Sequence, residues 1–210
     1  VYAASTRLFM AFNDFRTEVD KTHGQEYLNI ALIDNTITDA VSPLGAALAS
    51  YAHKYPHIHL RIHTLPPDEI EERVSQGRLD AGFIPMHGES PGLLYKHVHT
   101  ERNQLYCSKG HRWFAGDPPK DLADGTDFEP RHVSHGYKHT PLEKAANFGL
   151  SRDATAFSVE GIALLIMTGA YLGFLPAHYA SLWVERGEMR VIHPDRYFFD
   201  AEIVAVYQRA

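Results

Sequence analysis

Apolar and polar positions in residues 27–84 follow two alternating spacings, which predict strands separated by helices. A short, nearly continuous apolar run opens this stretch and is typical of a buried strand. Two segments then repeat apolar side chains at helical spacing, and Pro56 and Gly77 end them. Strands separated by helices of this length need crossover connections, so we expect a parallel sheet. The predicted strands cover 27–33, 57–65 and 79–84, and the predicted helices cover 42–55 and 68–76.

The second half of the chain repeats this rhythm after a stretch at 110–130 that is rich in glycine and proline. The repetition indicates a second lobe built like the first. The last strand has no helix after it, so we expect the chain to return to the first lobe at its end. Strands are predicted at 93–99, 104–108, 131–134, 155–158, 171–175, 189–192 and 202–207, and helices at 140–147, 159–168 and 176–186.

Residues 1–23 read as an exposed amphipathic helix that Gly24 ends. Leu8, Phe12 and Phe15 recur at helical spacing among charged side chains. This aromatic stripe favours packing on a partner or a role in joining two domains. An ordinary surface helix is the alternative.

Charge and cysteine content narrow the class of protein. The 210-residue chain has a net charge of −6, which argues against wrapping nucleic acid or lying on an anionic membrane. With Cys107 as its one cysteine, it has no internal disulfide and fits a reducing compartment. No apolar run reaches the roughly 20 residues of a membrane-spanning helix, and no signal peptide is recognisable. Because the chain opens with Val1, we expect it to be part of a longer protein.

An ordered series of short motifs carries a family resemblance. Pro43-Leu44 opens a helix that Tyr55-Pro56 closes, and Gly77-Arg78-Leu79-Asp80 then leads into the third strand. Together with Glu101–His111 and Gly173–Pro176, this series resembles the effector-binding domain of LysR-type transcriptional regulators. The resemblance extends over the whole chain and is strongest at 41–85. Arg112 departs from it, since the family usually has proline there.

The resemblance implies an α/β fold with two lobes, like that of periplasmic binding proteins, in which helices flank a mostly parallel sheet in each lobe. Residues 1–24 would be the linker helix to an N-terminal winged helix-turn-helix that is absent from this chain. Residues 25–104 and 198–210 would form lobe I, and residues 105–197 lobe II. The protein would be a cytoplasmic regulator that binds DNA through the absent domain and a small-molecule effector in the cleft between its lobes.

Two segments of the first lobe are candidate effector contacts. The loop 34–39 leads from the first strand to a helix N-terminus, where backbone N–H groups and the helix dipole favour an anion. Its Thr36 and Thr38 add hydroxyl groups, and the resembling family uses this loop for effectors. Simple capping of the helix is the alternative. Pro85 and Met86 follow the third strand and are predicted to line the cleft.

Five residues of the second lobe are candidate contacts as well. Four of them lie where predicted strands meet helix starts, in the polar run 134–139 and at the openings of the helices near 140 and 158, and the fifth, Phe174, lies in the predicted strand 171–175. A solvated loop is the alternative for the polar run. For Phe157 and Phe174 the alternatives are a cleft wall and the core, and we expect both to be core side chains. The five predicted contacts are His135, Tyr137, Thr140, Ser158 and Phe174.

The sequence contains no recognisable catalytic motif. Neither a nucleophile elbow, nor a phosphate-binding glycine loop, nor a defensible pair of catalytic carboxylates is present. Two groups of histidines, at 57, 59 and 63 and at 132, 135 and 139, could suggest a metal site. A zinc site usually adds carboxylate or thiolate ligands, and the sequence gives no evidence of them beside either group. We therefore expect no enzyme activity, no cofactor and no metal, and we expect Cys107 to be a buried, unreactive thiol.

The leading hypothesis is thus an effector sensor whose ligand shifts the arrangement of the protein. The resemblance also implies a homodimer or homotetramer that pairs through the helices 42–55 and 68–77. The second hypothesis is the solute-binding protein of a transport system with the same architecture. A small transferase or hydrolase is a third, for which no catalytic residues are visible.

Overall fold

The computed structural model describes residues 27–122, 131–137 and 150–208. They fall into two compact units, which we call unit 1 (residues 27–99 and 202–208) and unit 2 (the described part of 100–201). The predicted helices at 1–24 and 140–147, and with them Thr140, lie outside the described residues. No helix of the described part is long and apolar enough to cross a membrane.

Unit 1 is a four-stranded sheet with the strand order β2-β1-β3-β9. β1 is parallel to both β2 and β3, as predicted, with Ile30 opposite Ile62 on one side and Ala81 on the other. β9 joins antiparallel to β3, so the end of the chain does return to the first unit. The strands are β1 (Tyr27–Leu32), β2 (His59–Thr64), β3 (Ala81–Pro85) and β9 (Phe198–Gln208).

Two helices cover the sheet of unit 1. In α1 (Leu44–Lys54) the buried residues recur at helical spacing, and Tyr51 is only 3% exposed. In α2 (Pro67–Ser75) Ile70 and Val74 are fully buried, as their spacing predicts. Gly77 then ends the helix at a φ of 67°, a conformation that glycine adopts without strain.

Unit 2 has the strand order β4-β7-β5-β6, with β8 paired to β4. β5 is parallel to both β6 and β7, whereas β4 runs antiparallel to β7. Two helices complete the unit, α3 (Val159–Met167) and α4 (Ala177–Glu185). The strands are β4 (Leu93–Ser108), β5 (His132–His135), β6 (Ala154–Ala156), β7 (Leu172–Pro176) and β8 (Met189–Val191).

The two longest strands connect the units. The prediction of separate strands at 93–99 and 104–108 is wrong, because β4 continues from Leu93 to Ser108. Its polar stretch from Thr100 to Asn103 alternates between exposed and buried side chains, as a strand does. The chain enters unit 2 after His99 and leaves it after Ala201, inside β4 and β9. Since no change of composition marks these points, the predicted lobe boundaries fall a few residues away.

Candidate ligand site

Parallel strands end at the same edge of unit 1, which we call the carboxyl edge of unit 1 (residues 33–39 and 85–87). Leu32 of β1 lies opposite Phe83 of β3, and the backbone N–H of Ile33 donates to the Phe83 carbonyl at 3.3 Å. The segments that leave the two strands therefore start side by side. Open α/β sheets bind ligands at such strand ends.

The loop after β1 contains a short 3-10 turn at Thr36–Thr38. The Thr36 hydroxyl donates to the Ile33 carbonyl at 3.0 Å, and the Thr38 hydroxyl donates to the Asn35 carbonyl at 2.8 Å. A hydroxyl has one proton to donate. While these bonds hold, the predicted contacts Thr36 and Thr38 can therefore offer a ligand only oxygen lone pairs.

Asn35 belongs to the same loop, and the sequence predictions did not single it out. Its backbone is left-handed, with a φ of 66°, and asparagine is among the few non-glycine residues that tolerate this conformation. Its side-chain Nδ2 and Oδ1 are both buried and have no hydrogen-bond partner among the described residues. An unpaired buried polar group costs about 1–3 kcal/mol. A ligand that satisfies this amide would recover that cost.

Asp39 anchors the end of the same loop. Its Oδ1 accepts a hydrogen bond from the backbone N–H of Val41 at 3.0 Å. Its Oδ2 lies 2.8 Å from Nε2 of His99, and both side chains are less than a tenth exposed. Sixty positions of sequence separate the pair, so no spacing rule predicts it.

Pro85 and Met86 lie at the end of β3, which is where the sequence analysis placed the two residues. Pro85 lies opposite Ile203 of β9, and the backbone N–H of Met86 donates to the Glu202 carbonyl at 2.8 Å. Both side chains are half-buried, so part of their surface remains for a ligand.

A second set of strand ends forms the carboxyl edge of unit 2 (residues 135–137, 156–158 and 176–178). His135 of β5 lies opposite Ala156 of β6, and the backbone N–H of Gly136 donates to the Ala156 carbonyl at 2.8 Å. His135 is buried, and its ring centre lies 4.7 Å from that of Tyr137. The structure thus brings these two predicted contacts together.

Ser158 begins α3 at this edge. Its side chain accepts a hydrogen bond from the backbone N–H of Gly161 at 3.0 Å, so Ser158 is the N-cap of this helix. Capping uses the oxygen as an acceptor, and the hydroxyl proton remains to be donated to a ligand oxygen.

Phe157 and Phe174, for which the sequence left core or cleft wall open, differ from each other in burial. The expectation that Phe157 is a core side chain is wrong: it is 68% exposed, and its ring lies so close to Gly136 that a Cβ there would overlap it. Phe174 is 8% exposed and packs 5.4 Å from the Phe199 ring in the core. Phe157 therefore offers a ligand far more apolar surface than the predicted Phe174 does.

A second contact between a histidine and a carboxylate lies at the carboxyl edge of unit 2. Nε2 of His178, in the first turn of α4, lies 3.0 Å from Oε2 of Glu101. The other carboxylate oxygen of Glu101 accepts from Asn103 Nδ2 at 3.2 Å. Like Asp39 and His99, these residues are far apart in sequence, and no motif joins them.

Cys107 lies on β4, in the hydrophobic core of unit 2. Its side chain is fully buried, as predicted. Burial raises the pKa of this thiol to about 11, and the charge of Arg190 opposes the shift only in part. A thiol that keeps its proton at neutral pH is a poor nucleophile.

Two α/β units, each with parallel strands that end at one edge, define a domain like the periplasmic binding proteins. The chain matches the LysR substrate binding domain family over residues 25–210. It therefore belongs to this family and is the effector-sensing domain of a transcriptional regulator. The match favours the first of the sequence hypotheses over the transport protein.

Individual relatives agree with this assignment. The HTH-type transcriptional activator BauR of Pseudomonas aeruginosa is 33% identical over 214 residues, which cover 100% of this chain and 69% of BauR. The OxyR2 regulatory domain of Vibrio vulnificus has a TM-score of 0.65 at 15% identity and covers 91% of both chains. The CrgA regulatory domain of Neisseria meningitidis has a TM-score of 0.60 at 16% identity, covering 88% of this chain and 89% of that one. At these identities the two structures support the fold alone.

Proposed function

We propose that the effector of this regulator is a small organic acid whose polar end contacts the carboxyl edge of unit 1. The observation that carries the proposal is the Asn35 side chain, a buried amide without a hydrogen-bond partner among the described residues. The amide N–H groups can donate to a carboxylate. Asn35 also lies in the loop after β1 that the sequence singled out for an anion.

The carboxyl edge of unit 2 supports an apolar or aromatic part of the ligand. Tyr137 is half-buried and Phe157 is mostly exposed, and both flank Gly136 in sequence or in space. Aromatic side chains bind flat apolar groups through large contact areas. Ser158 adds a hydroxyl at the N-terminus of α3, where the helix dipole favours negative charge. That one ligand contacts both edges stays a prediction.

The remaining parts of the proposal concern the whole protein. The domain binds its effector without converting it, in the cytoplasm, and a helix-turn-helix domain of the longer protein binds DNA. BauR, which is named as an HTH-type activator, supports this organisation. The chain pairs with a second copy through α1 and α2, and the outward residues Ala46, Ala49 and Ala52 of α1 are exposed. Light scattering on Ala49→Arg tests the pairing: a smaller particle than wild type is expected, and an unchanged mass contradicts it.

Thermal shift and calorimetry with acetate, propionate and benzoate test the effector class, with ethylamine and benzylamine as amines of similar size. A ligand at a hundred times its Kd stabilises the folded state by about 2.7 kcal/mol, so binding is easily detected. Asn35→Gly removes the amide, while glycine keeps the positive φ without strain. Asn35→Asp keeps the size but places a carboxylate where an acid would bind.

We expect Asn35→Gly to weaken binding of the acids and Asn35→Asp to abolish it. His193→Gly is the matched control, because His193 is the other non-glycine residue with a positive φ among the described residues, and this change should leave binding intact. If the acids fail to bind wild type, or if wild type binds the amines as tightly as the acids, the proposal of an organic-acid effector is contradicted.

A further inference from the structure

Three side chains of unit 1 form a hydrogen-bonded cluster at the loop 86–92, which joins β3 to β4. The Glu71 side chain of α2 is 8% exposed, and the His87 side chain of the loop is 4% exposed. Oε2 of Glu71 lies 3.1 Å from Nε2 of His87, and Oε1 accepts from the Tyr95 hydroxyl at 2.7 Å. That hydroxyl accepts from the backbone N–H of Ser90 at 3.0 Å. One buried carboxylate therefore holds the loop at two points.

The hydrogen bonds define how many protons the cluster needs. The Ser90 N–H can only donate, so the Tyr95 hydroxyl accepts from it and gives its own proton to Glu71. The Pro85 carbonyl can only accept, so Nδ1 of His87, 3.1 Å away, carries a proton. The contact between Nε2 and Oε2 then requires one more proton between His87 and Glu71. A neutral His87 beside an ionised Glu71 would lose this bond and leave a buried carboxylate short of one partner.

The loop that this cluster holds continues directly from the carboxyl edge of unit 1. His87 is the last residue of that edge, and Met86 precedes it with its backbone N–H bonded to Glu202. Movement of His87 is therefore transmitted to Pro85 and Met86 through one or two peptide bonds.

We infer that Glu71 is a positioning residue for ligand binding, which fixes the loop 86–92 beside the carboxyl edge of unit 1 through a proton that it shares with His87. The inference rests on the proposed function, because it assumes that the ligand contacts this edge. Glu71 itself touches no ligand in this arrangement. Effector affinity then depends on pH through a group outside the binding surface.

The direction of the pH dependence follows from the groups around His87. Its pKa is raised above the usual value, chiefly by the hydrogen bond to Glu71, with desolvation opposing and the Glu71 and Asp68 charges adding to the rise. α2 contributes Glu71 and Asp68, β4 contributes Tyr95, and β3 contributes the Pro85 carbonyl. The hold on the loop is fully present below the unfolded pKa of about 6.5 and is lost as the pH rises through the higher folded pKa.

Two ligand-free NMR readouts test the positioning role between pH 5.5 and 9. They are the exchange protection of the Ser90 amide, corrected for intrinsic exchange, and the methyl signal of Met86. In wild type we expect protection to fall several-fold as the pH rises, and the Met86 signal to titrate together with the His87 ring.

Glu71→Gln is the decisive variant. Glutamine keeps an oxygen that accepts from Tyr95 and brings an N–H that donates to a neutral His87, so the network is complete without the shared proton. Both readouts should therefore become independent of pH. Tyr95→Phe removes the acceptor of the Ser90 amide and should lower its protection at every pH, while Met86 still titrates. His59→Gln, an exposed histidine of β2, is the control and should change neither readout.

Benzoate titrations at both ends of the pH range connect the loop to binding. Wild type should lose affinity several-fold at high pH, and Glu71→Gln should not. The inference is overturned if Ser90 and Met86 do not respond to pH in wild type, if they respond equally in Glu71→Gln, or if benzoate affinity changes equally in both proteins. If neither benzoate nor the other acids bind at any pH, the proposed function fails, and the ligand-free readouts still decide whether Glu71 holds the loop.

Discussion

Gly173→Ala tests how closely α3 packs on the sheet of unit 2. Gly173 is the second residue of β7 and lies opposite Tyr106 of β4 on one side and Val133 of β5 on the other. A Cβ there would come within 2.9 Å of Ile162 Cγ2, Ile166 Cδ1 and Val133 Cγ1. Because strands flank β7 on both sides, the strand cannot move away, and the helix that carries Ile162 and Ile166 must shift instead.

Overpacking of this kind costs about 1–3 kcal/mol. For a unit of roughly 100 residues, 1 kcal/mol corresponds to about 4–8 °C, so we expect a loss of roughly 4–24 °C in Tm. Trp113 and Trp183 are the two tryptophans of the chain, and both lie in unit 2. Urea unfolding followed by tryptophan fluorescence therefore reports on this unit, and its midpoint should decrease in the variant.

Two further variants show whether the clash is the cause. Ile166→Val removes the Cδ1 atom, so it should partly restore Gly173→Ala although it destabilises wild type by about 0.5–1.5 kcal/mol. Gly45→Ala on α1 is the matched control, since nothing lies within 4 Å of the added Cβ, and it should be neutral or stabilising by circular dichroism. An unchanged urea midpoint in Gly173→Ala would refute the packing described for α3.

Two other predictions follow from burial. Cys107, fully buried with a pKa of about 11, should react with a thiol reagent only after the protein unfolds, and fast labelling of the folded protein at pH 8 contradicts this assignment. Phe174→Ala should cost about 3–5 kcal/mol as a buried core truncation, whereas the mostly exposed Phe157→Ala should change the free energy of unfolding little and weaken benzoate binding. Equal destabilisation by the two changes would contradict their placement.

The strand and helix order of both units could be predicted from spacing, because the pattern of apolar positions depends only on local geometry. Residues 68–76 illustrate this, since Ile70 and Val74 recur at helical spacing and both are fully buried in α2. The strand β4 shows where the method fails. Its polar middle, from Thr100 to Asn103, resembles a break in the sequence, although the side chains alternate regularly in the sheet.

The candidate site could be predicted only as far as topology determines it. Parallel strands place the loop 34–39 and the pair Pro85 and Met86 at one edge, and the sequence alone indicated that. The turn uses the hydroxyl protons of Thr36 and Thr38 and leaves the Asn35 amide unpaired. These details depend on the left-handed backbone of Asn35, which no apolar pattern reveals.

The sequence by itself determined the family, the alternation of strands and helices, and the segments at which ligands are to be sought, because these follow from periodicity and from motifs of neighbouring residues. Only the tertiary structure decided which distant groups meet: Asp39 with His99, Glu101 with His178, and Glu71 with His87 and Tyr95. The physical reason is that contacts between buried polar side chains depend on distance in space and on desolvation, and the spacing of residues along the chain determines neither quantity.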